Sequence, residues 1–479
     1  MTNCPNNTNI NIQIKPISLT QTQFEQIKYN LSQYEWAIFL ESADDTHIDS
    51  HYSIISAEPI ATLQSFAGKN CFKMGARCER TKIDPFIILK EKREALFPLH
   101  DMQHNKESKL PFLGGILGTL NYELGYQFEE IKNDQQPNGL SLPELSVGFY
   151  DWALIFDHKK SLFFLVTHPT IKQLKTSKEQ WKSRFNWLMS HVKPHKTAQP
   201  FQLTNNWSAN MDKQQYSEKF NKIQQYILSG DCYQVNLAQR FKASYQGDEY
   251  QAYQALLAEN RPPFAAFLRL PEQVILSLSP ERFLKLTDRI VETKPIKGTR
   301  PRFDDLTLDK QSQKALQQSE KDRSENLMIV DLLRNDIGRV CQAGSVKVPT
   351  LFEIESFPAV HHLVSTVIGK LDTCYGVEDL LRVCFPGGSI TGAPKIRSME
   401  IIAELEPDRR QSYCGSIGYI SANGEMDMNI AIRTLVCFEG EIYCWAGGGL
   451  VADSQVDAEY QECFDKVSRI LPCLTKLNK

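Results

Sequence analysis

The chain has 479 residues, 42% hydrophobic and 23% charged, the balance of a globular protein long enough to bury a large core. A formal net charge of -3 leaves no global basic field, which argues against nucleic acid as a partner. No run approaches the ~18 uninterrupted apolar residues of a membrane helix, and the opening MTNCPNNTNINIQIKP has neither the basic nor the apolar region of a signal peptide. Twelve cysteines without C-x-x-C spacing argue against zinc or a disulfide framework, so a reduced cytoplasm is the expected setting.

In chain order, a first unit over 14–157 carries short β-type runs at 36–40, 114–120 and 147–156, punctuated by Gly, Pro and Asn. A further apolar run, 162–166, suits a buried strand, and a helix is predicted over 178–189. The polar stretch 190–211 has two prolines and no periodicity and reads as a linker. A second unit, 212–473, opens with an amphipathic helix over 212–229, whose stripe is Tyr216, Phe220, Ile223 and Ile227. The segment 233–241 then alternates: Tyr233, Val235, Leu237 and Phe241 point one way, Gln234, Asn236 and Arg240 the other, with Gln239 the exception. More strands are predicted at 264–270, 274–279, 415–421 and 442–446, with long helices at about 310–336 and 457–471. Strands in runs with helices in blocks predict an α+β fold with largely antiparallel sheets.

Two carboxylate pairs at i,i+3 spacing lie on predicted helices: Asp322 with Glu325, and Glu459 with Glu462. Spacing alone leaves two readings open, a solvated acidic face or a site for a hard cation such as Mg²⁺. Three glycine-rich segments, PGGSITGAPK (386–395), YCGSIGY (413–419) and WAGGGLVAD (445–453), could each be a turn or an anion nest. None has the spacing of a nucleotide-binding loop. Arg433 falls in a segment that reads as a strand, where a guanidinium suits a carboxylate ligand or a buried ion pair. Lys297, between Ile296 and Gly298, is either an edge-strand lysine reaching water or a buried amine with a lowered pKa.

Taken together, these segments resemble the chorismate-binding enzymes, the family of anthranilate synthase component I, aminodeoxychorismate synthase component I and the isochorismate synthases. The resemblance is dense over 216–471 and weaker through FLESADD (39–45) and ISAEP (55–59). It implies two intertwined subdomains with antiparallel sheets packed as a β-sandwich and helices outside. It further implies that Glu325 and Glu462 ligate Mg²⁺ directly, with Asp322 and Glu459 acting through water, to grip the ring carboxylate of chorismate. Gly447 and Gly449 would offer backbone donors there and Lys466 a charge. Arg433 and Tyr413 would hold the enolpyruvyl carboxylate, Ser389 would line the pocket, and His362 would stand beside the departing group.

Two positions separate the branches. Isochorismate synthases carry a lysine base where this chain has Gln234, and an amide takes no proton at neutral pH. Anthranilate synthases read PIAGT where this chain reads PIKGT, and Lys297 resembles the lysine of the branch that aminates C4 and keeps the enolpyruvyl group. Glu281 resembles a general acid shared by all branches. The resemblance then implies that protonated Glu281 releases the C4 hydroxyl, neutral Lys297 attacks C2, and ammonia displaces the lysine at C4. Ammonia would come from a separate glutamine amidotransferase subunit, since Cys414 lies in SYCGS rather than in G-x-C-x-G. The alternatives are an anthranilate-forming enzyme and a non-catalytic L-tryptophan sensor, with Leu40, Glu41 and Ser42 lining the tryptophan pocket.

Overall fold

In this computed structural model the described residues are 12–43, 51–98, 110–129, 131, 140–169, 176–194, 199–356 and 360–477. Every strand pairing in it is antiparallel, and the strands fall into two sheets. The 13-stranded sheet runs from Gln13–Ile17 through Leu162–Thr167, Trp152–Asp157, Tyr52–Ser56 and Ala37–Glu41. It then crosses to Phe264–Arg269, Val274–Ser279, Thr434–Phe438, Glu441–Leu450, Gln234–Gln246 and Gln202–Leu203. The 12-stranded sheet starts at the edge strand Ile296–Pro301 and passes through Val360–Lys370, Ile290–Thr293, Arg282–Thr287, Met426–Asn429 and Ser416–Ser421. Its far half is Gly115–Leu120, Leu145–Tyr150, Ala61–Phe66, Lys69–Met74 and Arg77–Thr81.

Alternation along the strands explains how the two layers pack. In the first sheet Ile38, Ile54, Ala153, Ile155, Ala266, Leu268 and Ile275 point into one apolar cluster, where they meet Leu117, Tyr150 and Ile417 of the second sheet. Their neighbours Phe39, Ile55, Leu154, Phe267 and Leu276 point the other way and share a cluster with Phe24 and Ile27 of the helix Gln21–Leu31 and with Tyr250, Tyr253 and Leu256 of the helix Glu249–Asn260. Burying both faces in this way gives the expected sandwich with helices outside. Strands from before the stretch 190–211 and from after it share both sheets: Ala37–Glu41 pairs with Phe264–Arg269, and Gly115–Leu120 with Ser416–Ser421. That stretch itself contributes Gln202–Leu203 and Ser208–Ala209, which pair with Gln234–Gln246.

Local chemistry settles the element ends. Asp212 caps the helix Lys213–Leu228 and forms a capping box with Gln215. The single helix expected over 310–336 is two, Leu306–Gln318 and Glu320–Gly338, because extended Ser319 interrupts the spiral and its hydroxyl caps the second helix. Likewise the helix expected over 457–471 is Val456–Val467 followed by Leu471–Lys476, whose first turn holds Pro472. Tyr233 lies outside the strand that follows it and is 72% exposed, so it does not share the buried row of Val235 and Leu237.

The apolar run 147–156 is a further correction. It spans the end of Leu145–Tyr150 in one sheet and most of Trp152–Asp157 in the other. The chain changes sheets at buried Asp151, whose carbonyl accepts the His168 N–H at 2.7 Å and whose carboxylate accepts Gln180 Nε2 at 3.2 Å. The His168 ring packs edge-on to Phe97, with its centroid 5.1 Å from that ring's, and its Nδ1 donates to the Pro169 carbonyl at 3.0 Å.

Burial without a charged partner pushes the His168 pKa down from 6.5 to about 4. Between those values the unfolded chain binds the extra proton, so this contribution to stability is full above about pH 6.5 and is lost as pH falls toward 4. We predict that about 2 kcal/mol of unfolding free energy disappears between roughly pH 7.5 and pH 5 through this group. Urea denaturation of the protein and of His168→Gln at both pH values checks this: the variant should lose the His168 share of the difference.

Candidate active site

Among the described residues the strand Ile296–Pro301 has a strand neighbour on one side only, Val360–Lys370, and its register slips between Lys297 and Thr299. The extra residue is Gly298, at φ +78°, where a Cβ would stand 2.8 Å from Leu316 Cδ1 and 2.9 Å from Asp322 Cγ. Next to this bulge Lys297 is half-buried, and its Nζ donates to the Ser389 carbonyl oxygen at 3.1 Å. Ser389 lies in the short turn Gly388–Ile390 of the glycine-rich segment, and its hydroxyl donates to Glu281 Oε1 at 2.8 Å. One serine therefore holds the amine and the carboxyl group with different atoms.

Glu281 stands where the chain leaves Val274–Ser279 in one sheet and enters Arg282–Thr287 in the other. Its N–H donates to Ser279 Oγ at 3.2 Å and its carbonyl accepts the Ile430 N–H at 3.0 Å, so its backbone is fixed. Burial raises the Glu281 pKa, against the Ser389 hydrogen bond and the charge of Lys297. Burial lowers that of Lys297, against Glu325 and Glu281. Burial disfavours charge on both groups.

His362, buried on Val360–Lys370, has its Nδ1 2.9 Å from Thr299 Oγ1, so the ring is tied to the strand that bears Lys297. Buried Gln234 crosses over Gly449, where a Cβ would lie 1.9 Å from its Nε2. Gly447 and Gly449 pair with Ala238 and Asn236 on one edge of Glu441–Leu450, and Thr434–Phe438 ends opposite Cys444, so no described strand pairs with the other edge of residues 445–450. Buried Tyr413 lies in the turn before Ser416–Ser421, and burial raises its pKa. Arg433 is not within a strand, contrary to expectation. It follows Met426–Asn429, precedes Thr434–Phe438 and has φ +52°, a left-handed turn that breaks the β pattern. Burial, then the charge of Arg469, lowers its pKa, while Glu281 opposes the shift.

The acidic residues come from the helices Glu320–Gly338 and Val456–Val467. Gly448 marks where two of them converge: a Cβ there would stand 3.1 Å from Glu459 Oε2 and 3.4 Å from Glu462 Oε1. Lys321 Nζ lies 4.0 Å from Glu325 Oε1 and 3.8 Å from Glu459 Oε1, and Lys466 Nζ lies 2.6 Å from Glu462 Oε1 while donating to the Gly447 carbonyl at 2.7 Å. Burial raises the pKa of Glu325, with Asp322 and Glu459 adding to the effect against Lys297 and Lys321. Burial also raises that of Glu459, whose Oε1 accepts the Ser454 hydroxyl at 2.7 Å. For Glu462 burial is outweighed by Lys466, and its pKa is lowered. No three His, Cys, Asp or Glu side chains among the described residues are arranged around one point as ligands of an ion. Asp322 is set apart, since its Oδ2 accepts Arg300 Nη2 at 3.1 Å.

Lys321 and Thr299 were not singled out from the sequence. The i,i+4 spacing of Lys321 to Glu325 was a usable signal for the first, whereas only the folded register brings Thr299 to His362. The expected trio Leu40, Glu41 and Ser42 does not line one pocket. Glu41 is buried and takes Lys28 Nζ at 2.9 Å and the Tyr253 hydroxyl at 3.0 Å. Leu40 is directed oppositely along the strand, and the Ser42 hydroxyl is 3.2 Å from the carbonyls of Tyr52 and Pro263. The rest of FLESADD, from residue 44, lies outside the described residues.

The family described as chorismate binding enzyme matches residues 36–472. Aminodeoxychorismate synthase component 1 of Salmonella typhimurium is 50% identical over 436 residues, covering 91% of this chain and 92% of the relative. The protein of the same name from Escherichia coli is 50% identical over 446 residues, covering 93% and 95%. Among solved structures, anthranilate synthase component I from Streptococcus pneumoniae superposes with a TM-score of 0.77 at 29% identity, covering 89% of this chain and 93% of that one. With its family matched over most of its length and half of the aligned residues shared with these relatives, the chain belongs to the chorismate-binding enzymes.

Proposed function

We propose that this protein converts chorismate and ammonia into 4-amino-4-deoxychorismate, the precursor of p-aminobenzoate and folate, through a covalent bond to Lys297. The observation that carries the reading is the bridge at Ser389, which holds the Lys297 amine and the Glu281 carboxyl group on one residue. Buried Glu281 keeps its proton and delivers it to the C4 hydroxyl, which leaves as water. The uncharged Lys297 amine forms a bond to C2 as the ring double bonds shift and the C4–O bond breaks. Ammonia then bonds to C4, the double bonds return and the C2–N bond to Lys297 breaks. The enolpyruvyl group is never cleaved. His362, fixed by Thr299, is assigned to the departing C4 hydroxyl, and Arg433 and Tyr413 to the enolpyruvyl carboxylate.

Glu325, Glu459 and Glu462 supply hard oxygen donors in a cradle where two lysine ammonium groups already meet negative charge, so their chemistry suits Mg²⁺. A Mg²⁺ held there would anchor the substrate's ring carboxylate beside Gly447, Gly449 and Lys466. The side-chain amide of Gln234 is no base, which supports amination over hydration. Ammonia is assigned to a glutamine amidotransferase partner: burial pushes the Cys414 thiol up to about 12, which suits an inert core cysteine rather than a glutaminase nucleophile. A cytoplasmic setting accords with eleven free cysteines among the described residues, and no described helix is long and apolar enough to cross a membrane. Leu40 and Ser42, both half-buried, remain assigned to a tryptophan pocket.

The chain incubated alone with chorismate and Mg²⁺ should turn over with ammonium and not with glutamine, and mass spectrometry should find the amino-deoxy product, with no fluorescent anthranilate. Lys297→Ala should lower this amination on the order of a thousandfold or more; retention of full C4 amination would remove the covalent step.

The pH dependence has a defined sign. The reactive form has Lys297 uncharged and Glu281 protonated, so kcat/KM for chorismate should fall both in acid, where Lys297 is charged, and in base, where Glu281 is ionised. Burial moves Lys297 below 10.5 and Glu281 above 4.5. Measured at constant free ammonia, the profile is expected to be a bell whose two limbs lie closer together than free lysine and glutamate would give. Limbs at or outside those free values would oppose the assignment. Titration calorimetry with L-tryptophan is expected to give a saturable heat that Ser42→Tyr abolishes.

A further inference from the structure

Asp322 belongs by spacing to the acidic pairs, yet its carboxylate is engaged elsewhere. From this geometry we infer that Asp322 and Arg300 form a clamp that positions Lys297, an inference that rests on Lys297 being the nucleophile. The strand Ile296–Pro301 is an edge, and the bulge at Gly298 interrupts its ladder beside the residue whose direction matters most. Strand pairing alone therefore leaves the Lys297 backbone weakly held.

The clamp spans that weak point. Asp322 lies in the first turn of Glu320–Gly338, where its N–H donates to the Ser319 hydroxyl at 3.3 Å. Its Cγ and Oδ1 pack over Gly298, each 2.9 Å from where a Cβ would be, so only glycine admits them. Its Oδ2 takes Arg300 Nη2 at 3.1 Å, while Arg300 Nη1 donates to the Thr299 carbonyl at 2.9 Å. One guanidinium thus ties the backbone just after the bulge to the helix that also presents Glu325. Thr299, held between them, carries the hydrogen bond to His362. Glu459 and Glu462, in contrast, converge on Gly448, whereas Asp322 reaches the acidic group through its charge on Glu325. Arg300 is 40% exposed, so the ion pair matters little to global stability, and its removal should leave the fold intact. Asp322 and Arg300 are positioning residues: they act on substrate only through Lys297.

The experiment compares Asp322→Ala, Arg300→Ala, the double variant and Glu325→Gln, using the full chain. With saturating ammonium and Mg²⁺, each clamp variant should lower kcat about ten- to a hundredfold, with KM for chorismate within about twofold, and the double variant should be no worse than the poorer single. Calorimetry with Mg²⁺ alone should give unchanged binding for Arg300→Ala, at most a small loss for Asp322→Ala, whose charge reaches Glu325, and a larger loss for Glu325→Gln. A readout independent of turnover is the rate at which fluorodinitrobenzene labels Lys297, followed by peptide mass at fixed pH without Mg²⁺; both clamp variants should change it equally. The clamp is overturned if Arg300→Ala behaves as the parent, if the two losses add, or if Asp322→Ala weakens Mg²⁺ binding as Glu325→Gln does. Should Lys297→Ala retain amination, the covalent step through Lys297 fails, while the labelling rates still judge the clamp.

Discussion

The arrangement depends on one serine. Ser389 accepts a hydrogen bond from Lys297 through its carbonyl and donates one to Glu281 through its hydroxyl, so an amine and a carboxyl group are held on one residue without pairing directly. Were they in contact in water, the proton would pass to the amine and leave an ammonium–carboxylate pair. Separation by a neutral residue, with burial that disfavours both charges, moves the two pKa values toward each other. An acid that keeps its proton and an amine that sheds its own are what a displacement at an alcohol carbon requires.

Holding that geometry falls to the two sheets. Lys297 lies on the edge strand of one, Gly447 and Gly449 on a strand of the other, and Glu281 at the point where the chain passes between them. Two helices, Glu320–Gly338 and Val456–Val467, bring their acidic ends to the same place. Because strands from both ends of the chain interleave in each sheet, the site has no independent half. A shift of either layer would change the distance between the lysine and the acidic cluster, and the shared apolar clusters resist such a shift.

The charges around Gly448 show how an acidic cavity is made tolerable. Carboxylates drawn out of water repel one another and rise in pKa, as Glu325 and Glu459 do, unless a cation is close. Lys321 and Lys466 serve that role among the described residues, and Lys466 holds Glu462 low. Asp322 pairs with Arg300 instead.

Much of this was legible in the residues themselves. Period-2 alternation over 233–241 located the strand Gln234–Gln246, and the stripe from Tyr216 to Ile227 located a helix. These are local signals, carried by spacing along a single segment, whereas the family and its branch were legible through the resemblance carried by segments such as PIKGT. The partition of 147–156 between two sheets, the break at Ser319, the left-handed turn at Arg433 and the opposed directions of Leu40 and Glu41 were decided by tertiary structure. So were the Ser389 bridge and the Arg300–Asp322 contact, which join positions 92 and 22 residues apart. Sequence determines which groups a segment can offer and with what period. Which of them meet, and which lose water in doing so, follows only from how the sheets and helices pack, since hydrogen bonds and desolvation act through space and not along the chain.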